Sequence, residues 1–287
     1  MRSVTVGIIT FNGAHRMSNC LRSIQKWDDR PDGVKIDLLL LDDGSHGEHF
    51  ENSIWCAKHY GVPIICHREN QGISKSWNDI VNYGNSDYIV LLNDDILVSR
   101  HWLTAGLYFL ENNPNAGVVG WNFYYIVHAD IEAILDSEDP IEIYRDPHDK
   151  RLLRQDEQSH SPYPSRVMVA VGSCFAFRRE YYDLVGGFDE RFRSFYEEID
   201  FGTKLAKEGL PSFMLPYSIL YHEWGKTFDE NAAFLNPAKL MSDSRRTYKE
   251  KWNGDTDVTD PRFMDAIEPF EVCWLDSNLN EQRAIIE

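Results

Sequence analysis

The stretch "YIVLLNDDIL" (88–97) decides how the chain reads. Tyr88 to Leu92 are apolar or aromatic; Asn93, Asp94 and Asp95 follow, and apolar character returns at Ile96. A short apolar run bounded by polar residues reads as a buried strand. Two adjacent carboxylates at its end repel each other, so a positive group is expected beside them.

Upstream the same pattern repeats. "VTVGIIT" (4–10) and "IDLLLLDD" (36–43) are strand-like and rich in apolar residues, and "VPIICHR" (62–68) is a shorter third strand. Between them, residues 15–27, 49–60 and 73–84 carry helical spacing, as do 101–113 beyond the opening stretch; "AGVVGW" (116–121) is a fifth strand. Strands apolar throughout, alternating with helices, predict an α/β fold with a mostly parallel central sheet covered on both faces. Three strands end in polar clusters: Thr10–Phe11–Asn12, Asp42–Asp43–Gly44–Ser45 and Asn93–Asp94–Asp95. Each cluster alone suits a turn or helix N-cap. Together they lie at the carboxyl edge of a parallel sheet, where such folds bind ligands.

The chain has 287 residues, 43% hydrophobic and 13% aromatic, enough for a large core. The formal net charge of −17 argues against nucleic-acid binding through phosphate neutralisation. Five cysteines never fall at C-x-x-C spacing, which fits free thiols rather than a disulfide framework. "MRSVTVGIITFNG" enters a strand without a signal-peptide pattern, and no apolar run reaches the roughly 18–20 residues of a membrane span. The expectation is a cytoplasmic protein, with peripheral contact at the inner membrane face compatible with the sequence. Residues 130–165 are polar, acidic and proline-containing, a long loop of functional type. After residue 225 a helical tail is expected, as in "KLMSDSRRTYKEKW" (239–252).

Several chemistries fail on spacing. No G-x-G-x-x-G follows the first strand, "GKT" (225–227) lacks the upstream P-loop glycine because position 220 is Leu, and "HEWGK" (222–226) lacks the second zinc-binding histidine.

The order "TFN", "DDGS", "NQGISKSWN" (70–78), "NDD", "GSCFAFRREYYDLVGGFDERF" (172–192) and "YEEIDFGTKLAKEGL" (196–210) resembles the family 2 glycosyltransferases of GT-A fold, in particular their rhamnosyltransferase-like bacterial branch. The resemblance covers about residues 3–225 and implies a domain over 1–225. Its nucleotide-sugar half would be 1–120 and its acceptor and catalytic half 121–225, with 226–287 as a C-terminal extension. It implies an inverting, metal-dependent transfer from a UDP, dTDP or GDP sugar to a glycan or lipid-linked hydroxyl.

By matching position, the resemblance assigns the donor to Thr10, Phe11, Asn12, Asp43, Asn70, Gly72, Lys75, Asn78, Asn93, Asp94 and Lys226. It assigns Mn²⁺ or Mg²⁺ to Asp95 and His222, an oxygen and imidazole set that suits those ions. The acceptor falls to Asp189, Glu197 and Trp224. An alcohol needs a general base. Glu198 occupies the matching position with Asp200 as the alternative, although acids here also suit a helix N-terminus. Trp121, Phe195 and Tyr196 are further candidates for stacking on a sugar. Two other readings stay open: a sugar-phosphate nucleotidyltransferase, for which "TFNGAHR" is a poor phosphate loop, and a non-catalytic sugar-nucleotide or glycan binder.

Overall fold

The computed structural model describes residues 2–126, 131–137, 152–154, 163–167, 170, 172–223, 226–253 and 270–286. The first half is built as its periodicity requires. Strands β1 (Arg2–Thr10), β2 (Val34–Asp42), β3 (Ile64–Cys66) and β4 (Tyr88–Asn93) alternate with helices α1 (Ala14–Trp27), α2 (Glu48–Tyr60) and α3 (Ile73–Tyr83). β3–β2–β1–β4 run parallel, with Thr10 opposite Asp42 and Ile9 opposite Asn93, so the three polar clusters share one edge.

Both faces are covered. Val4, Val6 and Ile8 pack with Met17, Cys20 and Leu21 of α1, and with Leu103, Leu107 and Leu110 of α4 (Trp102–Asn112). Ile9, Leu39, Leu41, Ile89 and Leu91 face Trp77, Ile80 and Val81 of α3. Alternate residues of each strand therefore bury on opposite faces, which is why the strands are apolar without interruption.

The second half makes the sheet mixed. After the short β5 (Ile96–Leu97) and β6 (Val118–Ile126) come α5 (Ile131–Asp136), β7 (Leu152–Arg154), β8 (Ser165–Val167) and β9 (Cys174–Arg178). β9 inserts antiparallel between β4 and β6, so the fifth strand of the sequence is not the fifth of the sheet. Next are α6 (Arg179–Val185), α7 (Glu197–Lys207) and β10 (Ser212–His222), the last parallel to β6 and antiparallel to β5 and β8. The described strands form a ten-stranded sheet of order β3-β2-β1-β4-β9-β6-β10-β5, with β7 on β6 and β8 on β10. Parallel pairing thus holds for β1–β4 and for β6–β10, and the strands that join these sets run against them.

The C-terminal extension holds α8 (Lys226–Glu230) and α9 (Pro237–Trp252), the latter over the expected helical stretch and capped by Asn236. It is not helical throughout: β11 (Phe270–Leu275) and β12 (Glu281–Ile286) form an antiparallel hairpin. Val272 and Trp274 enter the same core as β1 and α4, and Asn113 at the end of α4 brackets Cys273 through Cys273 N–H (2.8 Å) and C=O (2.7 Å). No helix among the described residues is long and apolar enough to cross a membrane. All five cysteines are free thiols.

Candidate active site

The opening question about Asp94 and Asp95 has two answers. Asp94 is buried at the end of β4, where Thr10 Oγ1 donates to it at 2.6 Å and Arg16 Nε lies 3.4 Å away. Arg16, from the first turn of α1, is itself buried to 1% exposure and also pairs with Glu230 of α8. Burial drives the Asp94 carboxyl up to about 7, against the downward pull of Arg16 and with a further push from Asp95. The positive group beside Asp94 is therefore the chain's own guanidinium.

Asp95 faces elsewhere. Its Oδ2 lies 3.3 Å from His222 Nε2, while its buried Oδ1 has no hydrogen-bond partner. His222 is brought there by β10 pairing with β5, which sets it opposite Ile96. Its Nδ1 stands 3.4 Å from Ser173 Oγ, a contact that orients the ring. An orphaned carboxylate oxygen beside an imidazole nitrogen, at a ligand-binding sheet edge, fits one side of a Mn²⁺ or Mg²⁺ site. Among the described residues no cluster of three or more such side chains exists, so substrate or water oxygens would complete the coordination.

Ser173 joins this pair to the acids of α7. Its carbonyl accepts the Asn93 N–H at 2.9 Å. A Cβ on its neighbour Gly172 would stand only 3.1 Å from Cδ of Glu198, so Glu198 lies directly against the turn that carries Ser173 into β9. Glu197 and Glu198 each have a buried carboxyl oxygen without a partner. Burial raises both. Glu197 rises well above the carboxylate range, driven next by the charge of Glu198; Glu198 is pulled back by backbone N–H groups and by a hydrogen bond from Glu197. The two carboxyls titrate as a pair, with Glu197 raised the further of the two. The turn leading into this helix is strained: Phe195 (φ 65°) and Tyr196 (φ 69°) are consecutive left-handed residues, held by Phe195 stacking on Phe228 and by Tyr196 packing on Tyr248.

Asp200 is fully buried, and its carboxylate accepts Lys251 Nζ at 2.8 Å and Trp252 Nε1 at 2.9 Å from α9, so both its oxygens are engaged within the fold. Asp189 is likewise a strut: Arg191 and Lys251 hold it, and these cations keep its carboxyl below the usual range.

Asn78 is a scaffold residue. Its amide donates to Phe188 C=O and Glu190 and accepts from Phe188 N–H and Tyr182 OH, so its hydrogen bonds all go to the "FDERF" turn and its flank. Lys75 pairs with Asp79 on its own helix. Trp121 is core, with its N–H on Trp102 C=O.

Around the ends of β1 and β2, Asp43 holds the 70–72 loop through the N–H groups of Gln71 (2.8 Å) and Gly72 (2.9 Å). His67 bridges Asp43 (2.6 Å) to Asp79 (2.8 Å). Gly72 adopts φ 94°, and a Cβ on it would stand 2.8 Å from the Arg193 backbone, so the position is closed to any side chain. Asn70 is held by Arg193. Asn12 (φ 52°) is fixed by Ser45, His46 and Asn231, and Phe11 forms an aromatic group with His46 and the exposed Phe234. The backbone of Asn93 pairs with Ser173 while its side-chain Oδ1 is buried without a partner. Trp224 and the side chain of Lys226 lie outside the described residues, as does most of 130–165.

The sequence profile of glycosyl transferase family 2 matches residues 5–186. The chain belongs to glycosyltransferase family 2. An N-acetylglucosaminyl-diphospho-decaprenol L-rhamnosyltransferase of Mycobacterium tuberculosis is 38% identical over 253 residues, covering 79% of this chain and 78% of that protein. A glucosyl-dolichyl phosphate glucuronosyltransferase of Haloferax volcanii is 27% identical over 154 residues, 54% of this chain; the chain spans 46% of that protein's length. Among solved structures, TarS (residues 1–349) of S. aureus in complex with UDP-GlcNAc superposes with a TM-score of 0.62 at 13% identity, over 90% of this chain and 68% of that one. GalNAc-T7 with UDP, GalNAc and Mn²⁺ gives 0.61 at 14% identity, over 77% and 44%. This family 2 chain therefore has the GT-A fold.

The sequence reading missed four positions that build the site: Arg16, Ser173, Glu230 and Lys251. Arg16 carried a signal, a basic residue one helical turn beyond a polar strand end. Glu230 and Lys251 carried none, because their partners Arg16 and Asp200 lie 214 and 51 residues away.

Proposed function

We propose that this family 2 chain is an inverting, divalent-metal-dependent glycosyltransferase that moves a sugar from a nucleoside-diphosphate sugar to a hydroxyl acceptor. The observation that carries the proposal is continuity at one sheet edge: Asp95, His222 and Ser173 in contact, and Glu198 against Gly172 beside Ser173.

Glu198 is the general base. It takes the proton of the acceptor hydroxyl as that oxygen bonds to the anomeric carbon, and the nucleoside diphosphate leaves with the bonding electron pair on the opposite side. A single displacement inverts the anomeric centre. Glu197, whose hydrogen bond lowers the Glu198 carboxyl, supports its ionised form and its orientation. Asp95 and His222 would hold Mn²⁺ or Mg²⁺, the imidazole favouring Mn²⁺; when bound, the ion supplies positive charge to the departing diphosphate.

Phe11, with His46 and Phe234, forms the apolar wall for the base of a UDP, dTDP or GDP donor, and Asp43 sets the 70–72 loop beside it. Residues 1–120 form the donor half and 121–225 the acceptor half, with 226–287 as an extension that braces α7. The acceptor is a glycan or lipid-linked hydroxyl on the cytoplasmic side, a reading supported by the lipid-linked substrate in the mycobacterial relative's name.

The test is product analysis with nucleotide sugars and Mn²⁺. Release of nucleoside diphosphate, lost in Glu198→Gln while Mn²⁺-linked stabilisation by the donor persists, is the expected result. Pyrophosphate release from a nucleoside triphosphate and a sugar phosphate would replace the proposal with nucleotidyl transfer. Donor binding without turnover in the native chain would replace it with a binding protein.

A further inference from the structure

Helix α9 carries five basic residues against two acidic ones, in a chain of net charge −17. Its buried side is Ser244 and Tyr248, with Ser244 Oγ on Ser194 C=O (2.7 Å) and Tyr248 OH at Thr203 Oγ1 (2.8 Å). At about 100° per residue, Lys239, Arg245, Arg246 and Lys249 fall within an arc of about 120° on the opposite side. All four are exposed, as are Ala238 and Ser242 between them. Met241, 41% exposed, stands one turn from Arg245 and two from Lys249 on the margin of that arc. Glu250 marks the other margin, and Asp243 is paired with Arg246.

We propose that this face of α9 docks on an anionic lipid surface. The helix is 16 residues long, about 24 Å, and presents a basic stripe with the exposed Met241 at its margin, which suits electrostatic docking of a helix lying along a lipid surface. The acidic remainder of the chain does not cancel the attraction, because charges beyond about 8 Å are screened at physiological ionic strength. A soluble polyanion would use the charges but has no use for the exposed Met241 beside them. Docking also fixes the geometry of the site above the surface. The buried side of α9 is tied to the catalytic helix by Lys251 and Trp252 on Asp200, so α7 moves with α9 as one unit. The surface stands on exposed charge and not on the proposed reaction, and its test needs neither donor nor turnover.

The full chain is sedimented with phosphatidylcholine vesicles with and without phosphatidylglycerol, at low and high salt. Binding is expected only with the anionic lipid and is weakened by salt. Arg245→Gln/Arg246→Gln/Lys249→Gln weakens partitioning on the order of a hundredfold, while the control Arg30→Glu/Lys58→Glu, with charges changed elsewhere on the surface, binds as the native chain does. Thermal unfolding confirms that each variant is folded. Four results would overturn the proposal: equal binding to neutral vesicles, no binding at low salt, full binding by the folded triple variant, or a dimer in solution that the triple variant abolishes. Binding to a short single-stranded DNA with none to vesicles would do the same.

Discussion

Glu197 and Glu198 are neighbours in one helical turn, and burial raises both carboxyls. The hydrogen bond from Glu197 lowers the Glu198 carboxyl, so removing it leaves the half-buried Glu198 with less support for its ionised form. Glu197→Leu is expected to move the acidic limb of the kcat/KM profile to higher pH, whereas Glu197→Gln retains a donor and leaves the limb nearly in place; a pH–rate series on both variants checks this. Asp95 and His222 make a second residue-scale expectation. Asp95→Asn or His222→Leu should abolish thermal stabilisation by Mn²⁺ in a variant that still unfolds cooperatively without metal, checked by melting curves with and without the ion. Arg16→Met should act the other way. It leaves Asp94 buried without its cation, at a cost of about 3 kcal/mol, read by denaturant unfolding. At this scale part was legible: of the residues the resemblance pointed to, Asp95 lies beside His222, and Glu198 lies against Gly172 next to Ser173. For Asp200 the sequence shows a carboxylate in the first turn of α7 but not the lysine and tryptophan that engage it from α9.

Between elements, Lys251 is the connection to break. It bridges Asp189 of the "FDERF" turn and Asp200 of α7, so one cation holds a turn and two helices together. Lys251→Met should destabilise the fold by about 3 kcal/mol, since it leaves the fully buried Asp200 without its nearest cation. The pH dependence follows from Asp189. Its folded pKa lies below the unfolded value, through Arg191 first and Lys251 second. Its contribution is therefore present above about pH 4 and is lost as pH falls through the acid range. Urea midpoints measured from pH 6 down to pH 3 should fall for the native chain and flatten in Asp189→Asn. The elements of the first half were legible because helical and strand periods follow one another without interruption. The mixed pairing of the second half was not, since "CFAFR" reads as a buried strand whichever direction it runs.

Across the whole molecule, the hairpin β11–β12 closes the core against α4 through Val272 and Trp274. Truncation after residue 253 would uncover that face of α4, and Trp274→Ala alone should cost about 3 kcal/mol, observed as a lower melting temperature in a single cooperative transition. A tail read as helical gave no warning of this, because a hairpin's contribution depends on what it covers. The insertion of β9 between β4 and β6 reaches further still. β4 pairs with β1 on one side, but its other neighbour lies some eighty residues downstream, Leu92 opposite Cys174. While the chain leaves the ribosome, the central strand of the sheet keeps an open, apolar edge until that late segment emerges. Nascent molecules pass through a window in which they can pair with one another, and slow translation or a holding chaperone, rather than native stability, governs how many survive it.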